Sequence, residues 1–152
     1  MAKHTISASA LIRATPSTVY NIIADYKNGH LKILPKPPFG DKITVEVGGF
    51  GAGTRVSYDF IVMGKAQTYH ATITEPDPGK VLVETVDENG AVTAFTFEPR
   101  ENGQHTHITI STTLYVREGF LGKIEAWMTS SLFKPVYAKE LELLEQVATK
   151  EG

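Results

Sequence analysis

Hydrophobic and polar residues alternate along most of this chain, broken by a short helical stretch after residue 15, and from near residue 119 the period is helical to the end. In residues 5–14, Ile6, Ala8, Ala10 and Ile12 fall on one side, and Ser7, Ser9 and Arg13 on the other. That two-residue period predicts a strand. Thr15-Pro16 then opens a helix: a threonine hydroxyl can cap it, and proline suits the first turn, where its missing N–H is not needed. The apolar run Val19, Tyr20, Ile22, Ile23 and Ala24 carries this helix to about Tyr26, where Asn28-Gly29 ends it. Residues 30–34 predict a second short helix. Alternation resumes at 41–47 and continues through 54–62, 67–75, 81–86, 91–98 and 105–116. Gly64, Pro76-Asp77-Pro78-Gly79, Asn89-Gly90 and Asn102-Gly103 separate the later segments, and each is a turn signal with a backbone reason. Six strands joined this way predict an antiparallel meander.

From Phe120 to about residue 148 the period becomes helical. Phe120, Ile124, Trp127, Met128, Ser131 and Leu132 recur at spacings of three and four, and Val136, Leu141, Leu144, Val147 and Ala148 continue the stripe. Lys139, Glu140, Glu142, Glu145 and Lys150 mark the expected wet side. Pro135 is expected to interrupt the helix. A helix of about 30 residues runs roughly 45 Å. It is the only element long enough to cover the apolar face of the sheet. The expected fold is therefore α+β, a seven-stranded curved antiparallel sheet around a long C-terminal helix. Two short helices lie between the first two strands. One domain, residues 1–152, suits this length.

Composition narrows the function classes. The net charge of −2 comes from 15 basic and 17 acidic residues, without long runs of one sign. Neither nucleic acid nor an anionic membrane is therefore an expected partner. There is no cysteine, so disulfides, thiolate metal sites and cysteine nucleophiles are excluded. The N-terminus lacks the pattern of a leader, and no apolar run reaches the length of a membrane span. A cytoplasmic protein without integral membrane association is expected; oligomeric state is not readable.

Candidate chemistry is sparse. The glycines at 49, 51 and 53 precede a strand rather than a helix and lack a following Lys-Ser/Thr, which argues against a phosphate cradle. A turn or a mobile lid is expected there. Pro35, Pro37 and Pro38 predict a stiff partner loop. His105 and His107 share a polar strand face without the further ligands of a zinc site, so no metal or cofactor is expected. Asp25, Asp59, Glu84 and Glu98 read as solvated surface charge. His70 lies on the face opposite Tyr69, and a register shift of one residue would turn it inward as a general base. The acid–base candidates are accordingly Tyr69 and His70. The aromatic set says more: Tyr58, Phe60, Tyr69, Phe95, Phe97 and Trp127 are predicted to face one interior, with Ser131 and Thr93 nearby. Large aromatics with a few hydrogen-bonding points are the usual lining of a small-molecule pocket.

Several stretches carry a resemblance. Ile12-Arg13-Ala14-Thr15-Pro16-Ser17-Thr18-Val19-Tyr20 resembles the strand-to-helix opening of the START/Bet v 1-like superfamily, the helix-grip or SRPBCC fold. Gly49-x-Gly51-x-Gly53-Thr54 is similar to its third-strand entry. The stretch from Thr74-Glu75-Pro76 through Gly79-Lys80-Val81-Leu82 is similar to the turn between its fourth and fifth strands. Leu132-Phe133-Lys134-Pro135-Val136-Tyr137, with the run from Glu140 to Leu144, resembles its closing helix. Nearly the whole chain is covered, and the polyketide cyclase/dehydrase-type branch is the most similar. The resemblance implies a deep cavity between sheet and helix for a lipid, polyketide or other apolar molecule. It carries over no catalytic residue, because the superfamily has no shared catalytic motif. Three functions follow as expectations: binding of a hydrophobic or amphipathic small molecule, an aromatase/cyclase-like enzyme, and a protein-interaction or assembly module.

Overall fold

A computed structural model describes residues 1–151. Among the described residues the chain forms seven strands and three helices. Strand β1 spans Ala2–Ile12. Helices α1 (Pro16–Ala24) and α2 (Gly29–Ile33) follow, then β2 (Phe39–Val47), β3 (Arg55–Val62), β4 (Lys65–Asp77), β5 (Val81–Val86), β6 (Val92–Arg100) and β7 (His105–Val116). Helix α3 runs from Gly119 to Glu151. The Thr15 hydroxyl accepts the Thr18 N–H at 3.2 Å and caps α1.

All seven strands belong to one antiparallel sheet, ordered β1-β7-β6-β5-β4-β3-β2. The meander from β2 to β7 is the one the turn signals predict. Strand β1 returns to lie beside β7, with Ile6 opposite Thr112 and Ala10 opposite Ile108. The inner face carries Ile6 and Ile12 of β1, Val56 of β3, Ala71 and Ile73 of β4, and Leu82 of β5. Phe95 and Phe97 of β6, with Ile108 and Ile110 of β7, complete it, and all are buried. This is an α+β helix-grip fold. No helix among the described residues is long and apolar enough to cross a membrane.

Helix α3 is continuous through Pro135 rather than broken at it. Proline there removes the bond to the Ser131 carbonyl, and Ser131 is solvent-exposed, so water can replace the lost partner. The helix is divided by burial instead. In its second half, Val136, Tyr137, Glu140, Leu141, Leu144 and Ala148 are all buried. In its first half, Phe120, Ile124, Trp127 and Met128 are exposed, Trp127 by 70%. The expectation that this first stripe faces inward is therefore corrected: α3 is seated by its C-terminal half, and the N-terminal half stands off the sheet. One tie remains between that half and the first strand: the Ser130 hydroxyl lies 2.7 Å from His4 Nε2 of β1.

Leu144→Ala is expected to cost about 2–5 kcal/mol of stability, and Trp127→Ala to change it by less than about 0.5 kcal/mol. Urea denaturation of both variants checks which half of the helix is seated.

Candidate functional site

Because α3 stands off the sheet, a cavity of about 350 Å³ lies between them. Its walls are largely aromatic. Tyr69 stacks on Tyr58 with centroids 6.0 Å apart, and Tyr58 meets Phe39 at 5.9 Å. Phe39 meets Phe60 edge-on at 5.1 Å, and Phe60 stacks on Phe133 of α3 at 5.5 Å. This run of rings joins the β2–β3 edge of the sheet to the long helix. Val56, Ala71, Val86, Phe95, Ile110, Leu114 and Leu132 supply further apolar wall. Exposed lining residues, among them Tyr115, Asn89 and Leu132, mark the mouth. Buried ones, Tyr26, His30 and Glu140, mark the closed end.

That closed end is polar. The Tyr26 hydroxyl donates to Glu84 Oε2 at 2.5 Å. His30 is stacked on Tyr26, with centroids 4.3 Å apart. Its Nδ1 lies 2.7 Å from the Ile23 carbonyl oxygen, which only accepts, so Nδ1 carries the hydrogen. Nε2 is thereby aimed at Glu84 Oε2, 3.4 Å away. On the opposite wall, Tyr137 bonds to Thr112, and Thr112 to Thr93 at 2.7 Å. Glu140 is 3% exposed, and no hydrogen bond reaches its carboxyl among the described residues. Burial, with the Glu84 carboxylate as a second cause, pushes its proton affinity well above the usual carboxyl range. Burial likewise raises Tyr137 to about 12 and pushes up Tyr26 and Tyr58. All three phenols are protonated at neutral pH.

The sequence-predicted residues separate accordingly. Tyr58, Phe60, Tyr69 and Phe95 line the cavity together. Phe97 is buried but lies outside it, packed on Tyr20 at 4.8 Å. Trp127 and Ser131 are exposed on the raised half of α3 and do not line it. His70 points away from the cavity: its Nδ1 is 2.6 Å from Glu88 on the outer face, which raises its affinity for a proton. The register pairs Tyr58 with Tyr69 and Ser57 with His70, so His70 is not the inward base.

Two acidic residues expected on the surface are inside. Glu84 shares the inward face of β5 with Leu82 and Val86. Because Val81, Leu82 and Val83 are all apolar, alternation there selects no face. Glu140 lies four residues from both Val136 and Leu144, a spacing that places it on the buried stripe. In the sequence its charge masks that register. Tyr26 and His30 carried no such signal, because their positions depend on how the corner between α1 and α2 is held.

The glycine-rich loop holds that corner. Gly49 accepts the Tyr26 N–H at 2.9 Å, and the Gly51 N–H donates to the Ala24 carbonyl at 3.0 Å. Glu75 accepts the Ala52 N–H and the Tyr20 hydroxyl, each at 2.6 Å. Gly51 has φ +63°, and a Cβ there would meet Glu75 Oε1 at 2.1 Å. Residues 48–53 do not line the cavity. Of the two expectations, a turn or a mobile lid, the turn is found: these residues form a clamp behind the α1–α2 corner. Of the proline-rich loop, Phe39 at its end does reach the cavity wall.

A family model described as polyketide cyclase / dehydrase and lipid transport matches residues 3–149. The chain belongs to this family. No curated protein sequence matches the chain. Among solved structures similar to it, the KanY protein superposes with a TM-score of 0.81 at 22% identity, with both chains fully covered. An aromatase/cyclase, Zhui, from a Streptomyces species has a TM-score of 0.76 at 17% identity, covering 98% of this chain and 95% of its own. A START superfamily protein from Mycobacterium smegmatis has a TM-score of 0.75 at 13% identity, covering 98% and 99%. These likenesses are of fold. Within this family member, the chemistry belongs to the side chains around the cavity.

Glu140 gives the family member a pH signature. Its proton is held more tightly when folded than when unfolded, so the folded state binds more protons above about pH 4.5. Its contribution is full at low pH and is lost as pH rises toward its folded value. Glu140→Gln is expected to raise the urea midpoint near pH 7 and to have little effect near pH 4. Denaturation across that range checks the sign.

Proposed function

We propose that this protein binds a hydrophobic or amphipathic small molecule in the cavity between the sheet and α3. The observation that carries this reading is the cavity itself, about 350 Å³ with a continuous aromatic wall and a polar closed end. Burying apolar ligand surface there contributes about 25 cal/mol per Å². Tyr58, Phe60, Tyr69 and Phe95 supply contact area, and the buried polar groups orient one end of the ligand. Membership of a family described by cyclase, dehydrase and lipid transport functions is consistent with this.

The neutral naphthalene dye Prodan is expected to bind saturably with a blue-shifted emission. Ala71→Trp, which fills the cavity from β4, is expected to weaken it at least about tenfold. Trp127→Ala, outside the cavity, leaves it unchanged. A folded Ala71→Trp variant with full dye affinity counts against the chamber.

A second reading, an aromatase/cyclase-like enzyme, is favoured by one observation: two carboxyl groups line the same cavity, and the buried one, Glu140, has its proton affinity raised by burial and by Glu84. In that pairing Glu140 gives a proton to a ketone oxygen, and Glu84 receives the proton of the adjacent carbon, forming an enol. Tyr69 lines the wall as a further proton donor. An aryl methyl ketone in deuterated buffer is expected to exchange its methyl protons faster with the protein than without it, and not with Glu140→Gln. Proton NMR follows the exchange, and a rate equal to buffer retires the enzymatic reading.

A further inference from the structure

We propose that the closed end of the cavity is a head-group site for a protonated amine, so that the ligand class is an amphipathic amine with an aromatic or alicyclic body. This rests on the reading of the cavity as a ligand chamber and adds the identity of the head.

The charge inventory points this way. Glu84 and Glu140 line the cavity, and no lysine or arginine does so among the described residues. The one basic group, His30, is already committed: Nδ1 faces the Ile23 carbonyl and Nε2 faces Glu84. An anionic head, such as that of a fatty acid, would sit beside the Glu84 carboxylate with no free cation to meet it. An unpaired charge placed there loses its hydration without replacement, and that excludes it.

Glu140 supplies the second, independent observation. It is more than nine-tenths buried, it lines the cavity, and it has no hydrogen-bond partner among the described residues. Its carboxyl opens onto the cavity rather than into packed protein, so a partner for it comes from the cavity side. The neighbouring hydroxyls do not provide one, because Thr93, Thr112 and Tyr137 are bonded to each other. An ammonium group at the closed end gives Glu140 its missing partner. The Glu140 proton leaves to solvent, and the carboxylate so formed accepts N–H bonds from the ligand, with Glu84 as the other wall of the site. The rings of Phe95 and Tyr137 line the same cavity and bring aromatic surface near a cation held there. Tyr26 and His30 at the α1–α2 corner, Glu84 on β5, Tyr58 on β3, Tyr69 on β4, Tyr115 on β7 and Tyr137 on α3 itself are the titratable groups sharing the cavity with Glu140 among the described residues.

The test compares three probes with one body: naphthylethylamine, naphthylethanol and naphthylacetate, titrated calorimetrically near pH 7 in two buffers of different ionisation enthalpy. The amine is expected to bind at least about tenfold more tightly than the alcohol, and the acetate most weakly. About one proton is released per amine bound. Glu140→Gln is expected to bring the amine-to-alcohol ratio toward one and to abolish the proton release. Equal binding of all three, preference for the acetate, or a ratio unchanged in Glu140→Gln overturns the amine site while leaving the chamber standing. Failure of all three to bind, together with failure of Prodan, removes the chamber itself.

Discussion

The arrangement depends on seating one half of a helix and not the other. Val136, Tyr137, Leu141, Leu144 and Ala148 bury the C-terminal half of α3 in the core, beside Ile12, Val19 and Ile23. Val136, Leu141 and Leu144 each contribute on the order of 1.5–3 kcal/mol by leaving water, which is ample to hold the helix. The N-terminal half has no comparable inward face. A rod about 50 Å long that is anchored at one end of a curved sheet leaves a gap at the other. The gap is the cavity, and Phe133 on the helix meeting Phe60 on the sheet closes one flank of it.

The polar end of the cavity rests on the same seating. Burying the second half of α3 carries Glu140 inward between Val136 and Leu144, although a carboxyl is rarely buried without a partner. Burial answers by raising its affinity for a proton. Across the cavity, the clamp formed by Gly49, Gly51 and Glu75 holds the end of α1, which sets Tyr26 and His30 against Glu84. A loop far from the cavity lining therefore positions two of its polar groups. The strain of positive φ at Gly51 falls on a residue without a Cβ, where it costs little.

The outer face of the sheet follows simpler rules. Arg55 bonds Asp87, His70 bonds Glu88, and Asp59 accepts the Thr68 hydroxyl at 2.6 Å. These pairs lie near water and contribute little each. They do fix the sign of the pleat: His70 must face out if Tyr69 and Ala71 face in. The contrast between this solvated face and the closed end of the cavity explains why acids of the same type behave so differently at Glu88 and Glu140. Hydrogen bonds to the exposed pair lower Glu88's proton affinity, and burial raises that of Glu140.

Local pattern was enough to find the strands, their order as a meander, the capped first helix and the long last one, because turn chemistry and side-chain period act within a few residues. It also placed Tyr58, Phe60, Tyr69 and Phe95 on the inner face, since each belongs to a strand with clear alternation. Tertiary structure decided the rest. The return of β1 to β7 and the standing-off of the first half of α3 depend on contacts far apart in sequence, so Trp127 and Ser131 could not be placed from their own stripe. Glu84 and Glu140 are buried by their neighbours against the preference of their own charge, a balance that residue type alone reads with the wrong sign. The corner that delivers Tyr26 and His30 is held by residues as far as 55 positions away, and only the folded chain brings them together.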